Sequence, residues 1–399
     1  MKLPDADERT AILDARRTMK MARSTHAYVR GNTAKFYEWL AESRAAANLP
    51  DGPAIWICGD CHVGNLGPIA DARGHVAIQI RDLDQAVIGN PLHDVIRLGL
   101  SLATAARSSD LPGVTTTHML EQMVAGYVGA LDAPDGDDHG PEPDAVRTVK
   151  RRALGRRWRH LAKERLEDVK PEIPLGKRFW DLTAAERRGV DAVFDDAGVT
   201  RMVLALKQRQ ADDCVKLVDA AYWVKGCSSL GLRRLAAILD LGDERDREYA
   251  LVDIKEAVKP VAPAAKGARM PGIPAERVVA AARALSPNLG ERIAAARFLD
   301  ASVFVRELMP QDLKIEVDQF NTEQAVRAAH YLAYVVGKAH GRQLDAADRA
   351  HWRKTLLSHR HADDAPSWLW RSVFELAGRH EVGYLEHCRS VAEHPARAS

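Results

Sequence analysis

The sequence predicts an α+β fold in which mostly helical stretches enclose a small antiparallel sheet. Three observations carry this expectation. Apolar residues recur at helical spacing near both ends, in "DVIRLGLSLATAAR" and in "EQAVRAAHYLAYVVGKAHGRQL". Short apolar runs separated by turns fill the middle, in "VKLVDAAYWVKG", "LRRLAAILDL", "YALVDIKEAVKP" and "ASVFVRELMP". Stretches rich in Gly and Pro, such as "PAAKGARMPGIPAE", punctuate them. The chain divides accordingly into residues 1–210, a sheet-bearing part at 211–320, and closing helices at 321–399.

Residues 8 to 47 read as helix broken around "STHAYVRGN", with Ile12, Leu13, Met19 and Met21, then Phe36, Tyr37 and Leu40 as the apolar positions. Two short strands follow, "AIWIC" and "HVAIQIRDLD", the second alternating Val76, Ile78 and Ile80 on one face. From Pro91 to Leu131 the pattern is helical again, and the acidic "DAPDGDDHGPEPD" reads as an exposed loop. Residues 147 to 165 then carry nine basic residues against one acidic, on a helix. That segment is either a solvated, ion-paired face or a reader of an anionic partner. Near the end, Trp368, Trp370, Phe374 and Leu376 are core candidates.

A chain of 399 residues with 46% hydrophobic content has room for two or three packed units. A formal charge of +2 does not point to nucleic acid or an anionic membrane. The N-terminus is charged throughout, and no apolar run approaches the roughly 18 residues of a membrane span. A cytoplasmic protein with no membrane partner is therefore expected. Five cysteines, an odd number in a long chain, argue for reduced thiols.

Two of those cysteines sit in "WICGDCHVGNLGP", which contains C-x-x-C-H, the pattern of covalent haem attachment. Haem attachment requires export, for which there is no signal. A zinc site at Cys58, Cys61 and His62 would need a further pair at finger-like spacing, and the sequence offers none. The same loop also reads Gly59-Asp60-x-His62-x-x-Asn65. Asp60 and Asn65 have the D-x-x-x-x-N spacing of a kinase catalytic loop, in which a carboxylate orients a hydroxyl proton and an amide oxygen helps hold Mg²⁺. Asp60 and His62 are thus the candidate catalytic residues and Asn65 a metal ligand.

The next strand runs into Asp82 and Asp84, 22 and 24 residues after Asp60. A carboxylate leaving a strand just beyond the catalytic loop is where phosphotransferases place their main Mg²⁺ ligand. Asp82 takes that role, with Asp84 as second ligand or support. Asp94 reads as an N-cap or a buried brace for the loop. Much later, Gly226 and Gly231 bracket Cys227, Ser228 and Ser229, small residues that let backbone N–H groups approach a phosphate chain. Lys255 follows 24 residues after Gly231, on a strand whose other face carries Val252 and Ile254. A lysine beside a glycine turn is how a kinase small lobe grips phosphates.

Asp60 to Asn65, with Asp82 and Asp94, resembles the signature of aminoglycoside, choline and homoserine phosphotransferases, with Cys58 where their first histidine stands. From "HAYVRGNTAKFY" through "RDLDQA", "VKGCSSLGLRRL", "VRELMPQDLK" and "GKAHGR", the chain also looks like the bacterial family known as domain of unknown function 2252. The resemblance implies a protein-kinase-like two-lobe fold in circularly permuted order. Its catalytic loop comes first, its glycine turn and lysine later, and the helix bearing His340 last. Such a rotation is tolerable where termini lie at the surface.

The resemblance further implies ATP and Mg²⁺ as cofactors, phosphoryl transfer to a hydroxyl of an unidentified small molecule or protein, and Glu307 in the segment that holds adenine. A nucleotide-binding pseudokinase or a nucleotidyl transferase are the alternatives. No acid is identified as the helix partner of Lys255, because Glu276 and Glu291 only flank "RVVAAARAL". Arg30 and the basic 147–165 segment are the candidates for reading an anionic acceptor.

Overall fold

The computed structural model describes residues 4–393 apart from 133, 135–141, 168–169, 207–208, 210–213, 228, 242–247, 314–320 and 359–365. Ten strands occur among these: β1 (Ile55–Ile57), β2 (Leu66–Ala70), β3 (Val76–Ile80), β4 (Val87–Gly89), β5 (Phe179–Trp180), β6 (Val215–Trp223), β7 (Arg234–Leu241), β8 (Glu248–Glu256), β9 (Ile293–Phe298) and β10 (Ala301–Leu308). Six form one antiparallel sheet in the order β5-β6-β7-β8-β10-β9, while β1 pairs with β4 and β2 with β3 in two small hairpin-like sheets. The fold is therefore α+β with antiparallel sheets, as the sequence pattern predicts.

The central strand β8 alternates as expected. Ala250, Val252 and Ile254 join one apolar layer with Val190, Val193 and Val203 of the helices Ala184–Phe194 and Ala197–Leu204. Leu251 joins the opposite layer with Leu161 and Leu166 of the helix Trp158–Leu166. A period of two makes this inevitable, and it leaves Asp253 and Lys255 on the second face.

The other core is helical. Leu92–Ser108 is buried on nearly every side, including Asp94, Arg97 and Ser101, so it is a central helix rather than an amphipathic one. Thr322–Gly341 starts with Asn321 accepting from the Gln324 N–H in a capping box. It lies very close to Gly113–Asp132: a Cβ on Gly126 would stand 2.1 Å from the His330 carbonyl, and one on Gly337 2.6 Å from the Tyr127 carbonyl. Only the absence of a side chain permits that approach, and it sets His340 against Tyr127.

Several sequence-based expectations are corrected. "STHAYVRGN" is mostly a short helix, Thr25–Gly31, because the Ser24 hydroxyl accepts from the Ala27 N–H and restarts the chain; Asn32 then caps the helix Thr33–Glu42. The basic segment falls on two helices, Asp144–Leu154 and Trp158–Leu166. The strand before Asp82 stops at Ile80, so Asp82 and Asp84 stand on the turn that follows. Trp368 and Leu376 are buried, but Phe374 is 48% exposed and stacks on Trp370. Most of the acidic 132–144 stretch lies outside the described residues. Among the described residues, no helix is long and apolar enough to cross a membrane.

Burial lowers the pKa of His93 to about 4 and of His380 to about 3. Unfolded histidine titrates near 6.5, so below that pH the unfolded chain binds protons that the folded chain refuses. Stability is then lost as pH falls from about 6.5 toward 4, by on the order of 3 kcal/mol for such a group. Denaturant titrations at pH 7.5 and 4.5 will show a smaller acid loss in His380→Leu than in the parent chain.

Candidate active site

The loop from Cys58 to Asn65 is held by its backbone. Asp94, fully buried on the central helix, accepts from the Cys58 N–H at 2.7 Å and the Gly59 N–H at 2.9 Å. Its Oδ2 also meets His340 Nε2 at 3.2 Å, His340 Nδ1 meets the Tyr127 hydroxyl at 2.9 Å, and Trp352 Nε1 donates to that hydroxyl at 3.3 Å. The expected brace is thus a buried chain linking four helices. Gly59 has φ +73°, and a Cβ there would stand 2.2 Å from the Gln85 carbonyl, so the turn requires glycine. Tyr37 donates to the Gly59 carbonyl at 2.7 Å.

Asp60 receives Arg97 Nε at 2.9 Å, and Arg97 also donates to the Val29 carbonyl at 2.6 Å. Burial pushes the Asp60 carboxyl above its ordinary pKa, and Arg97 opposes the rise. Asn65 gives its amide nitrogen to the Asp60 carbonyl at 2.9 Å, which orients the side chain. His62 is buried; desolvation, with Arg30 and Arg97 nearby, holds its pKa well below the usual value, so it is a neutral imidazole at physiological pH.

Cys58 and Cys61 are free, buried thiols. Their mutual hydrogen bond and burial push the Cys58 thiol up, and Cys58 Sγ donates to the Asp82 carbonyl at 3.4 Å. They therefore pack as neutral groups and tie the loop to the next turn.

Asp82 and Asp84 meet Lys255. The ammonium contacts Asp84 directly and lies 3.5 Å from Asp82 Oδ1. Lys255 is 3% exposed and Asp82 45%, so the lysine is the floor and Asp82 the face open to solvent. Burial alone would raise Asp82, but Lys255, then a hydrogen bond with Asp84, then Arg306 and Arg234, hold it well below the usual range. Burial and Asp82 together push Asp84 up to about 6. Two carboxylates sharing one ammonium ionise unequally.

Among the described residues, the acids that pair with this lysine are Asp82 and Asp84, neither of them on a helix. The helix Pro274–Leu285 instead sends Arg277 to the carbonyls of Ala86, Asp84 (2.8 Å) and Val258 (3.1 Å), which fixes the Asp84 turn from outside.

The glycine turn joins β6 to β7 at the end of the sheet where Lys255 stands, since Arg234, the first residue of β7, is opposite Lys255. Gly226 and Gly231 have φ of +116° and +103°. A Cβ on Gly226 would stand 2.4 Å from Ser229 Oγ, the Gly226 carbonyl accepts Lys20 Nζ at 2.6 Å, and Cys227 Sγ packs toward Gly31. Ser228 lies outside the described residues.

Glu307 is not brought to this site. Antiparallel register sets Phe304 opposite Lys255, so Glu307, three residues on, belongs to the other face of β10. Its carboxylate is bidentate on Arg209 at 2.6 and 3.0 Å, and its carbonyl accepts Arg292 at 3.1 Å. Both ends are structural.

Sequence reading missed Arg97, Arg277 and the ion network of Asp253 with Arg234 (2.8 and 2.5 Å) and Arg306 (3.3 and 3.2 Å). A signal existed for three of them: Arg97, Asp253 and Arg306 are charges inside apolar runs, as in "DVIRLGL", "ALVDI" and "VFVREL". Among the described residues, no group of three or more His, Cys, Asp or Glu stands ready for a metal. Mg²⁺ commonly takes one or two carboxylates and completes its shell with water and phosphate, so Asp82, Asp84 and the Asn65 amide oxygen fit it as a donor set.

Removing the Asp94 carboxylate orphans two buried N–H groups and His340 together. Asp94→Ala will lose about 3 kcal/mol or more of unfolding free energy in urea titrations. Asp94→Asn, which keeps one acceptor, will lose less.

No curated protein and no solved structure matches this chain. The family model described as "Uncharacterized protein conserved in bacteria (DUF2252)" matches residues 9–390. The chain therefore belongs to that bacterial family.

Proposed function

We propose that this protein is a nucleotide-dependent phosphotransferase that uses ATP and Mg²⁺ to phosphorylate a hydroxyl. One observation carries the reading: Lys255, from the sheet, meets Asp82 and Asp84, which follow the Asp60–Asn65 loop some 170 residues earlier in the chain. Asp60, Asp82 and a strand lysine beside a glycine turn are the parts such chemistry needs. Read from Val215 onward, the chain offers glycine turn, lysine strand, helix and two further strands, with the Asp60 loop belonging after the His340 helix. That is the permuted order the resemblance implies.

In this reading the acceptor hydroxyl sits against Asp60, which orients it and takes its proton as the acceptor oxygen bonds to the γ-phosphorus. The bond from that phosphorus to the bridging oxygen breaks, and the nucleoside diphosphate leaves. A carboxyl with a raised pKa suits a base working near neutrality. Arg97 holds it in place. Lys255 and the glycine turn would grip the phosphates, and Asp82, Asn65 and Asp84 would hold Mg²⁺, whose charge neutralises the transferring group. Glu307 has no part in it.

A second reading, a nucleotide-binding regulator without turnover, is favoured by one feature: the helix after β8 presents Arg277 where an acid partner for Lys255 is expected. Turnover separates the two. With Mg²⁺ and a panel of hydroxylated metabolites and proteins, Asp60→Asn will reduce ATP consumption by roughly a hundredfold or more, measured well below its melting temperature, which will fall because Arg97 loses its buried partner. Nucleotide binding with no Asp60-dependent turnover would favour the regulator. Transfer of an adenylyl rather than a phosphoryl mass to the acceptor would favour nucleotidyl transfer.

A further inference from the structure

The helix Thr25–Gly31 is tied to the Asp60 loop by Arg97, which joins the Asp60 carboxylate to the Val29 carbonyl. Arg30, the next residue, is therefore fixed relative to Asp60. A Cβ on Gly64 would stand 3.0 Å from both Cζ and Nη2 of Arg30, and 3.1 Å from Cε1 of His62. The half-buried Arg30 thus lays its guanidinium against the backbone of the loop itself, with the His62 ring beside it.

Among the described residues, Arg30 has no ion pair and no side-chain hydrogen bond, and its Nε is buried without an acceptor. His62, 4% exposed, likewise keeps a buried Nδ1 with no hydrogen bond. The acids of the site are engaged elsewhere: Arg97 holds Asp60, and Lys255 holds Asp82 and Asp84.

Two more cations stand close by. Lys20 gives its ammonium to the Gly226 carbonyl at 2.6 Å. Burial lowers its pKa, Cys227 opposes the fall, and Arg30 and then Arg23 add to it. Among the described residues, neither Lys20 nor Arg23 meets a carboxylate. A guanidinium withdrawn from water with an idle donor is costly unless a ligand supplies the acceptor. The ligands that match its fork are carboxylates and phosphates. In the phosphotransferase reading, the glycine turn, Lys255 and Mg²⁺ already provide for the phosphates of the nucleotide. Arg30 instead shares one rigid frame with Asp60, the residue that receives the acceptor hydroxyl.

We propose that Arg30 anchors the acceptor, and that the acceptor is a small hydroxyl compound carrying a carboxylate or a phosphate, with Arg23 at the edge of its pocket. This inference rests on the phosphotransferase reading and narrows its acceptor. The transfer is the one given above: the acceptor oxygen bonds to the γ-phosphorus, its proton passes to Asp60, and the nucleoside diphosphate leaves. A neutral or cationic acceptor would leave Arg30 idle.

A bacterial metabolite extract, freed of protein and divided on an anion-exchange resin, tests it, with Asp60-dependent consumption of ATP and Mg²⁺ as the readout and the removed protein as a third arm. Consumption will follow the retained, anionic fraction. Treating that fraction with immobilised phosphatase, removed before the assay, will abolish consumption if the anion is a phosphate and spare it if it is a carboxylate; both results support the assignment. With the acceptor purified from that fraction, Arg30→Met will raise its KM roughly tenfold or more and leave kcat and the calorimetric Kd of ATP within about twofold. Arg30→Lys will recover part of the loss. Arg23→Met, at an exposed position, will raise KM roughly twofold to fivefold.

Consumption that follows the neutral and cationic fraction, or the protein arm alone, overturns the assignment while the phosphotransferase reading stands. An acceptor KM unmoved in both the Arg30 and Arg23 variants does the same, whether Arg30→Met lowers the melting temperature, as a structural arginine would, or weakens ATP binding. No Asp60-dependent consumption in any arm removes the phosphotransferase reading, and the assignment falls with it.

Discussion

The Asp94 carboxylate is the interaction on which the rest of the site depends. It closes the Cys58 and Gly59 N–H groups that would otherwise be orphaned by a left-handed turn, and it does so from the middle of a buried helix. His340, Tyr127 and Trp352 extend that hold into three other helices. Because buried donors without acceptors are expensive, this network fixes one loop conformation rather than a family of them. Asp60, His62 and Asn65 inherit their places from it. The close approach at Gly126 and Gly337 is part of it, since His340 reaches Tyr127 only when those two helices nearly touch.

A second constraint is charge. The face of the sheet that looks toward the loop carries Asp253, Lys255, Arg234 and Arg306, and arginines from outside the sheet add to it. Asp253 sits between two arginines and is held well below the usual carboxylate range against its own burial. The carboxylates of this region are thus spoken for by cations, while Asp82, the most open of them, faces solvent. Positive charge therefore predominates on this face of the sheet.

The α+β class, the alternation of β8 and the bracing role of Asp94 were legible in the sequence because each rests on local periodicity or on a charge placed against it. Lys255 and Asp82 were legible as individual candidates through their strand context. Their meeting was not. Nor was the use of Asp84 as the acid partner of Lys255, for which a helix glutamate was expected. Arg277 holds the backbone of that turn instead, and no spacing rule relates residues nearly two hundred positions apart. For Glu307, chain order gives the segment, but strand parity turns its side chain to the far face, onto Arg209.

By itself, then, the sequence determined the α+β class and most of the helical and strand segments, and it put Asp60, His62 and Asn65 in one loop. Only tertiary structure decided that Arg97 holds Asp60 and that the Cys58 and Cys61 thiols are buried. It likewise decided that Arg165 of a surface-seeming basic run lies beside Lys225 under the sheet. The reason is physical. Periodicity encodes which face of an element is buried, but the partner of a buried charge is set by which elements pack together, and that depends on the whole chain.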